Sequence, residues 1–306
     1  MTAKTASATK AGNMHSPKLV KESIPAPSPG PGQVLVKMSH VAQNPTDVQS
    51  FDSNAFGDRT VLGCDFVGEV VQVGAEVTRL TKTKGLGAYS EYCLADQQIA
   101  FKVPTTLSRE DASTVPLALS SPDYLNLNRT KAQGTSVLVW GASVGLYSIQ
   151  IASLYGFDGI TTHSPYNAEL VRSYAAPNIY HVFDTVGNQG SSPTASQVFR
   201  DPQGCICTVR PGKANTEGAS ENAHVTDVLV WTASLKEHRY GKLYWPASEK
   251  DHELASELFV KLGPWLDEGT IKPNVTKVLS GLDAISGGFQ KYRDGKISAY
   301  KLVYQI

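Results

Sequence analysis

Residues 136–156 read SVLVWGASVGLYSIQIASLYG: an apolar strand, a glycine turn and an apolar helix in immediate succession. A turn of this kind aims unpaired backbone N–H groups and the positive end of a helix dipole at a phosphate. Gly141 and Gly145 permit the tight backbone, and the Ser143 hydroxyl adds a donor. The pattern is Gly-x-x-x-Gly, short of the full three-glycine dinucleotide fingerprint, so tight packing of helix on strand is the competing reading. About 20 residues beyond such a turn, a NAD-binding domain places Asp or Glu against the ribose hydroxyls. Here the chain reads THSPYNAE, with Ser164, Tyr166 and Asn167 at that place and Arg172 behind them. Neutral donors tolerate a ribose phosphate that a carboxylate would repel, so a bound dinucleotide is expected to be NADP rather than NAD.

Other reactive residue types are scattered. Cys64, Cys93, Cys205 and Cys207 fit neither a disulfide framework nor a four-cysteine zinc knuckle. Cys205 and Cys207 flank Ile206, as two small side chains on one face of a strand do. All four are read as reduced packing thiols, which suits a cytoplasmic chain. No Ser-His-Asp arrangement stands out, and His163 and Asp184 read as strand-end residues. Tyr89, Tyr92 and solvent are the candidate proton sources; the catalytic residue itself is unknown at this level.

The elements around these residues fall into two regions, as 306 residues at 41% hydrophobic composition allow. Basic and acidic side chains balance at 28 each, so nothing favours nucleic acid or an anionic membrane surface. No stretch approaches the roughly 18 apolar residues of a membrane span. The start, MTAKTASATKAGNMHS, is polar without an apolar centre and is expected to be a disordered tail over 1–17, not a secretory signal. From Lys18 to about Pro104 the signals are mostly β: a strand at Val34–Val41, short curved strands in VLGCDFVGEVVQVGAEVTRL, and a strand pair in GAYSEYCLADQQIAFKVP. Such close spacing predicts a small antiparallel barrel or sandwich. Ser108 then caps a helix start in SREDASTVPLAL. From about Gly134, strands alternate with helices: Val137–Trp140, Leu146–Tyr155, GITTHS, NAELVRSYAA, IYHVFDTVG and GCICTVR. DHELASELFVKLGPWLDEG has helical spacing, and ISAYKLVYQI returns to strand. Alternation of this kind predicts a mostly parallel sheet.

The segments QVLVKMSHVAQNPTDVQ, VLGCDFVGEVVQVGAEV, GAYSEYCLA, VPLALSS, VLVWGASVG and GKISAYKLVYQI resemble the zinc-independent medium-chain dehydrogenase/reductases. The resemblance runs from about Lys18 to the C-terminus and is strongest to the fungal branch of trans-acting enoyl reductases and ToxD-like proteins. It implies an α/β chain: a GroES-like β-rich domain over 18–120, to which 270–306 return, and a Rossmann-like NADP-binding domain over 121–269, with coenzyme in the cleft. By position it places nicotinamide-side contacts on Thr46, Asp47, Val48 and Gln49, and the pyrophosphate loop on Ser143, Val144 and Gly145. Adenosine-phosphate contacts fall on Ser164, Pro165, Tyr166 and Asn167, further nicotinamide contacts on Val209 and Arg210, and a C-terminal pair on Ser298 and Ala299. Substrate-lining positions fall on Ala118, Leu119, Ser120, Ser121, Pro122, Asp123, Tyr124 and Leu125, and on Ala233, Ser234 and Leu235. Gln49 stands where some members carry lysine. Zinc-dependent relatives carry His-Glu where this chain has Cys64-Asp65, and no metal is expected.

Three places are short of the family pattern: the glycine turn, the strand between TRLTKTK and GLGAYSEY, and the strand and helix after LVRSYAAP. The third removes one edge strand from the sheet order 3-2-1-4-5-6. The implied activity is NADPH-dependent reduction of an activated C=C, on a small-molecule or acyl-carrier-bound substrate, with a polyketide synthase as partner. The alternatives are a quinone or aldehyde reductase on the same scaffold, or a non-catalytic remnant or partner of such a synthase.

Overall fold

The computed structural model describes residues 2–9, 17–77, 87–119, 134–141, 143–162, 179–199, 204–240 and 242–306. The chain divides into two compact units, residues 1–117 with 255–306, and residues 118–254.

The first unit contains β1 (Thr2–Thr9), β2 (Lys18–Pro25), β3 (Gln33–Ala42), α1 (Pro45–Asp52), β4 (Thr60–Val61), β5 (Asp65–Val73), β6 (Tyr92–Asp96) and α2 (Arg109–Ala112). α3 (Pro116–Leu119) leads out of it. Strand β3 is its spine: β15 (Lys301–Gln305), β5 and β6 all pair with it antiparallel, and β14 (Thr276–Ser280) joins β15 in parallel. Its apolar run packs Val34, Val36, Met38 and Val41 into one core with Val48 and Phe51 of α1 and Ile285 and Phe289 of α7 (Ile285–Arg293). Ser108 caps α2 as its sequence predicts, accepting the Asp111 N–H at 3.1 Å.

Two expectations change here. Residues 2–9 are strand β1, paired along its whole length with β2 and at its end with β4, not a disordered tail. Ala3, Thr5, Ala6, Ser7 and Ala8 are buried. Alanine, serine and threonine carry almost no hydropathy contrast, so pairing rather than pattern makes this strand. In GAYSEYCLADQQIAFKVP only β6 forms. Asp96 accepts the Gln98 N–H at 2.9 Å and turns the chain, and Phe101 packs instead on Phe259, ring centroids 6.3 Å apart.

The second unit is built on a five-stranded parallel sheet of β7 (Ser136–Trp140), β8 (Asp158–Thr162), β9 (Ile179–Asp184), β10 (Gly204–Thr208) and β11 (Ala223–Asp227). Their order is β11-β10-β9-β7-β8, so β8 is an edge among the described residues. Leu138, Trp140, Val182 and Ile206 fill one face, and Val137, Val139, Phe183 and Cys207 the other. Apolar runs without alternation are what a sheet buried on both faces requires. α4 (Ser143–Leu154) follows β7, and α5 (Ser191–Ala195) follows β9. The helix expected in NAELVRSYAA lies outside the described residues. A hairpin of β12 (His238–Tyr240) and β13 (Leu243–Trp245) precedes α6 (Glu249–Asp267), along which the chain returns to the first unit. All four cysteines are free thiols, and burial pushes Cys207 up to about 12. Among the described residues, no helix is long and apolar enough to cross a membrane.

Candidate functional site: a phosphate turn and a buried polar cluster

In the second unit, register aligns the C-terminal ends of all five strands in one row: Thr162, Trp140, Asp184, Thr208 and Asp227. Ligands of open α/β sheets bind beyond this edge. Three segments singled out by sequence leave from the row: Ser143, Val144 and Gly145 after β7, Val209 and Arg210 after β10, and 164–167 after β8. The last four, Ser164, Pro165, Tyr166 and Asn167, lie outside the described residues, as does His163.

The turn after β7 is held from below by the turn after β9. Gly141 has φ +121°, a conformation L side chains rarely adopt, and a Cβ there would overlap the Thr185 hydroxyl. That hydroxyl donates to the Trp140 carbonyl at 2.9 Å. Asp184, wholly buried, stitches the neighbouring turn by accepting from the Val186 and Gly187 N–H groups and from the hydroxyls of Ser191 and Ser192 at 2.5 and 2.6 Å. The strand-end reading of Asp184 therefore describes what it does. The Gly187 carbonyl accepts from Arg210 Nε and Asn215 Nδ2, both at 2.8 Å, which ties the loop after β10 to the same place.

The residues present fit an anionic ligand. α4 is twelve residues long and carries no acidic side chain in its first turn, and Ser143 is exposed at its start. Gly145 also serves packing, since a Cβ there would stand 2.9 Å from Val139 Cγ1. Gly141→Ala is expected to cost about 1–3 kcal/mol from backbone strain and to weaken coenzyme binding. Thermal denaturation with and without coenzyme checks both effects.

Near the other assigned positions, Ala233 is buried and its carbonyl bonds His252 Nδ1 at 2.8 Å. Ser234 donates to the Trp231 carbonyl at 2.7 Å and lies 3.2 Å from His238 Nε2. Leu235 is half-buried. Ala118 and Leu119 end α3, and Ser120 to Leu125 lie outside the described residues.

The first unit holds a polar cluster that composition gave no reason to expect. Pro45 opens α1, and Asp47 reaches back to accept the Asn44 N–H at 2.7 Å, one half of a capping box. The same carboxylate accepts from the Tyr89 hydroxyl at 3.0 Å and lies 3.8 Å from Cys64 Sγ. Asp65 accepts from Asn44 Nδ2 and Lys301 Nζ, each at 3.0 Å, and from the Leu117 N–H at 2.7 Å. Lys301 also donates to the Thr114 carbonyl at 3.1 Å. Burial drives the Asp47 carboxyl up from 3.8 to about 7, and drives the Tyr89 and Cys64 protons well above their ordinary ranges.

Of the assigned α1 positions, Asp47 and Val48 turn inward, while Thr46 and Gln49 keep side-chain surface. Gln49 Nε2 donates to the Tyr292 hydroxyl at 2.9 Å, and Ser298 and Ala299 are exposed, Ala299 at φ +61°. Beneath the cluster, Tyr304 donates to Gln43 Oε1, which leaves no room at Gly288: a Cβ there would overlap the Tyr304 hydroxyl. Among the described residues, no group of three or more His, Cys, Asp or Glu side chains is arranged to hold a metal. Lys301 and Asn44 were missed from sequence. The pairing of residues 236 positions apart leaves no local signal.

Residues 30–105 match the alcohol dehydrogenase GroES-like domain. A trans-enoyl reductase of Alternaria alternata is 27% identical over 334 residues, covering 93% of this chain and 95% of that protein. The enoyl reductase component of the lovastatin nonaketide synthase of Aspergillus terreus is 26% identical, covering 96% and 94%. Both alignments are longer than the 306 residues here, so each relative carries positions this chain lacks. The crystal structure of a zinc-dependent alcohol dehydrogenase homologue from Rhizobium etli superposes with TM-score 0.77 at 19% identity, covering 100% and 98%. A GroES-like domain, a parallel five-stranded sheet and similarity along more than nine-tenths of the chain converge: the protein is an oxidoreductase whose relatives are dehydrogenases and trans-enoyl reductases of the medium-chain dehydrogenase/reductase family.

Proposed function

We propose that this oxidoreductase uses NADPH to reduce an activated C=C, acting in trans on a carrier-bound polyketide intermediate. Nicotinamide chemistry is supported by the similarity to dehydrogenases and enoyl reductases. The observation that carries the reading is the row of strand ends, where a helix N-terminus free of acidic residues stands beside Ser143 and the Arg210 loop. The enoyl substrate and the synthase partner are supported by the trans-enoyl reductase and lovastatin relatives.

Reduction adds a hydride at the β-carbon and a proton at the α-carbon; bound NADPH supplies the hydride. The chain's part is to bind, to orient and to polarise the carbonyl. The first-turn N–H groups of α4 would hold the coenzyme's phosphates. Asp184 and Thr185 hold the turns that shape this edge. Tyr89 is buried and its hydroxyl proton is committed to Asp47, which leaves Tyr92 and solvent as proton sources.

A fluorescence titration tests the coenzyme reading. NADPH is expected to saturate in the micromolar range and to bind about tenfold or more tighter than NADH. One charge-assisted hydrogen bond to the ribose phosphate, worth about 1.5–3 kcal/mol, suffices for that ratio. Turnover with enoyl thioesters, against quinones and aldehydes, then tests the reaction. A second reading, a remnant that only binds a synthase, is favoured by the positions missing relative to the relatives; absence of saturable NADPH binding would select it.

A further inference from the structure

Asp65 is the meeting point of three distant parts of the first unit. Its Oδ1 accepts the Leu117 N–H, at the point where the chain leaves this unit. Its Oδ2 accepts from Asn44, the residue that opens α1, and from Lys301, two residues after Ala299. The Asp65 and Lys301 side chains are 1% and 4% exposed, so this is a desolvated ion pair and not a surface contact. Lys301 adds a second tie to the crossover through the Thr114 carbonyl.

Two of these segments are among those to which the family pattern assigns work. Thr46 and Gln49 lie on α1, and Ser298 and Ala299 stand just before β15, one residue short of Lys301. A carboxylate accepting three hydrogen bonds fixes the mutual placement of its donors more tightly than packing alone, because each bond is directional. A buried ion pair adds little stability over an apolar substitute of similar volume. Stability therefore gives no reason for this pair, whereas placement does.

We infer that Asp65 and Lys301 are positioning residues: one buried ion pair sets where α1, the 114–117 segment and the start of β15, just after the 298–299 pair, stand relative to one another. The inference rests on the proposed reductase reading for what these segments contact, and on the hydrogen bonds alone for the clamp itself.

The test is the full-length double variant Asp65→Leu/Lys301→Met, which removes both charges at similar volume and so avoids an unpaired buried ion. It is expected to melt cooperatively. Hydrogen exchange in the peptide spanning 114–119 should rise about tenfold or more, while β3 and β15 keep their protection. kcat/KM with enoyl thioester should fall about 100-fold, the loss expected when reacting groups shift by about 1 Å. Lys301→Gln, the second variant, leaves the Asp65 carboxylate without its cation but keeps one donor toward it, so its geometric disturbance is the smaller of the two while its cost in stability is the larger. It should show the same local exchange signature with about a tenfold loss in kcat/KM, roughly 1.4 kcal/mol.

Native exchange at 114–119 in either folded variant overturns the clamp, and so does an increase spread evenly over the whole unit. Unchanged kcat/KM beside raised local exchange overturns the positioning role. If the wild type reduces no enoyl substrate, the proposed reaction fails, while the exchange measurement still decides the clamp.

Discussion

Between pH 4 and pH 8 the protein is expected to lose roughly 4 kcal/mol of stability through Asp47, a loss that Asp47→Asn removes. In the unfolded chain this carboxyl titrates near 3.8; in the fold, burial drives it up to about 7. Between those values the folded state holds a proton that the unfolded state has released, so raising the pH favours unfolding. The stabilisation is full below 3.8 and gone once the pH has risen through 7. At about 1.36 kcal/mol per pH unit the interval corresponds to roughly 4 kcal/mol. The groups facing Asp47 set the balance. The nearby Asp65 charge pushes in the same direction as burial, while the Asn44 N–H, the Tyr89 hydroxyl and the Lys301 ammonium oppose it. Asparagine keeps an acceptor for Asn44 and Tyr89, and its amide can donate toward Cys64 Sγ. Urea unfolding of both proteins at pH 5 and pH 8 isolates the residue. An equal pH response in the two would show that Asp47 does not titrate with this midpoint.

Lys301→Met alone is expected to cost about 3–5 kcal/mol, a large part of the about 5–15 kcal/mol typical of a folded domain. The loss is not that of one contact. The Asp65 carboxylate, 1% exposed, is left in the interior without a cation. Removing both charges should restore most of the stability, so the single and double variants are strongly non-additive. The surface pair Lys21–Asp283, 2.6 Å apart with side chains 48% and 80% exposed, is the contrast. Lys21→Met should change stability by no more than about 1 kcal/mol, because water already solvates both ions. Equilibrium urea unfolding of the three variants makes the comparison. A small loss for Lys301→Met would mean that the Asp65 site takes up water or a proton at no cost.

The alternating strands and helices after Gly134 were legible because each is a local pattern: an apolar run, a glycine turn, a helical period. The turn at Gly141 was legible as a turn, but its fit beneath Thr185 depends on a neighbour 44 residues away. Strand β1 was not legible. Its buried face is alanine, serine and threonine, and only its pairing with β2 and β4 makes it a strand. The strand expected around Phe101 failed for the opposite reason, since an apolar residue satisfied its burial on α6 without any ladder.

By itself, then, the sequence determined the two kinds of region, the parallel sheet and the glycine turn that begins its first helix, since short-range periodicity and turn chemistry are written in adjacent residues. Only the tertiary structure decided that Asn44, Asp65, Leu117 and Lys301 meet, and that Asp47 loses its water. Antiparallel pairing of β15 and β5 with β3 brings these residues together. Burial in that arrangement, not residue type, makes an ordinary carboxylate titrate near neutrality and turns an ordinary Asp and Lys into a clamp.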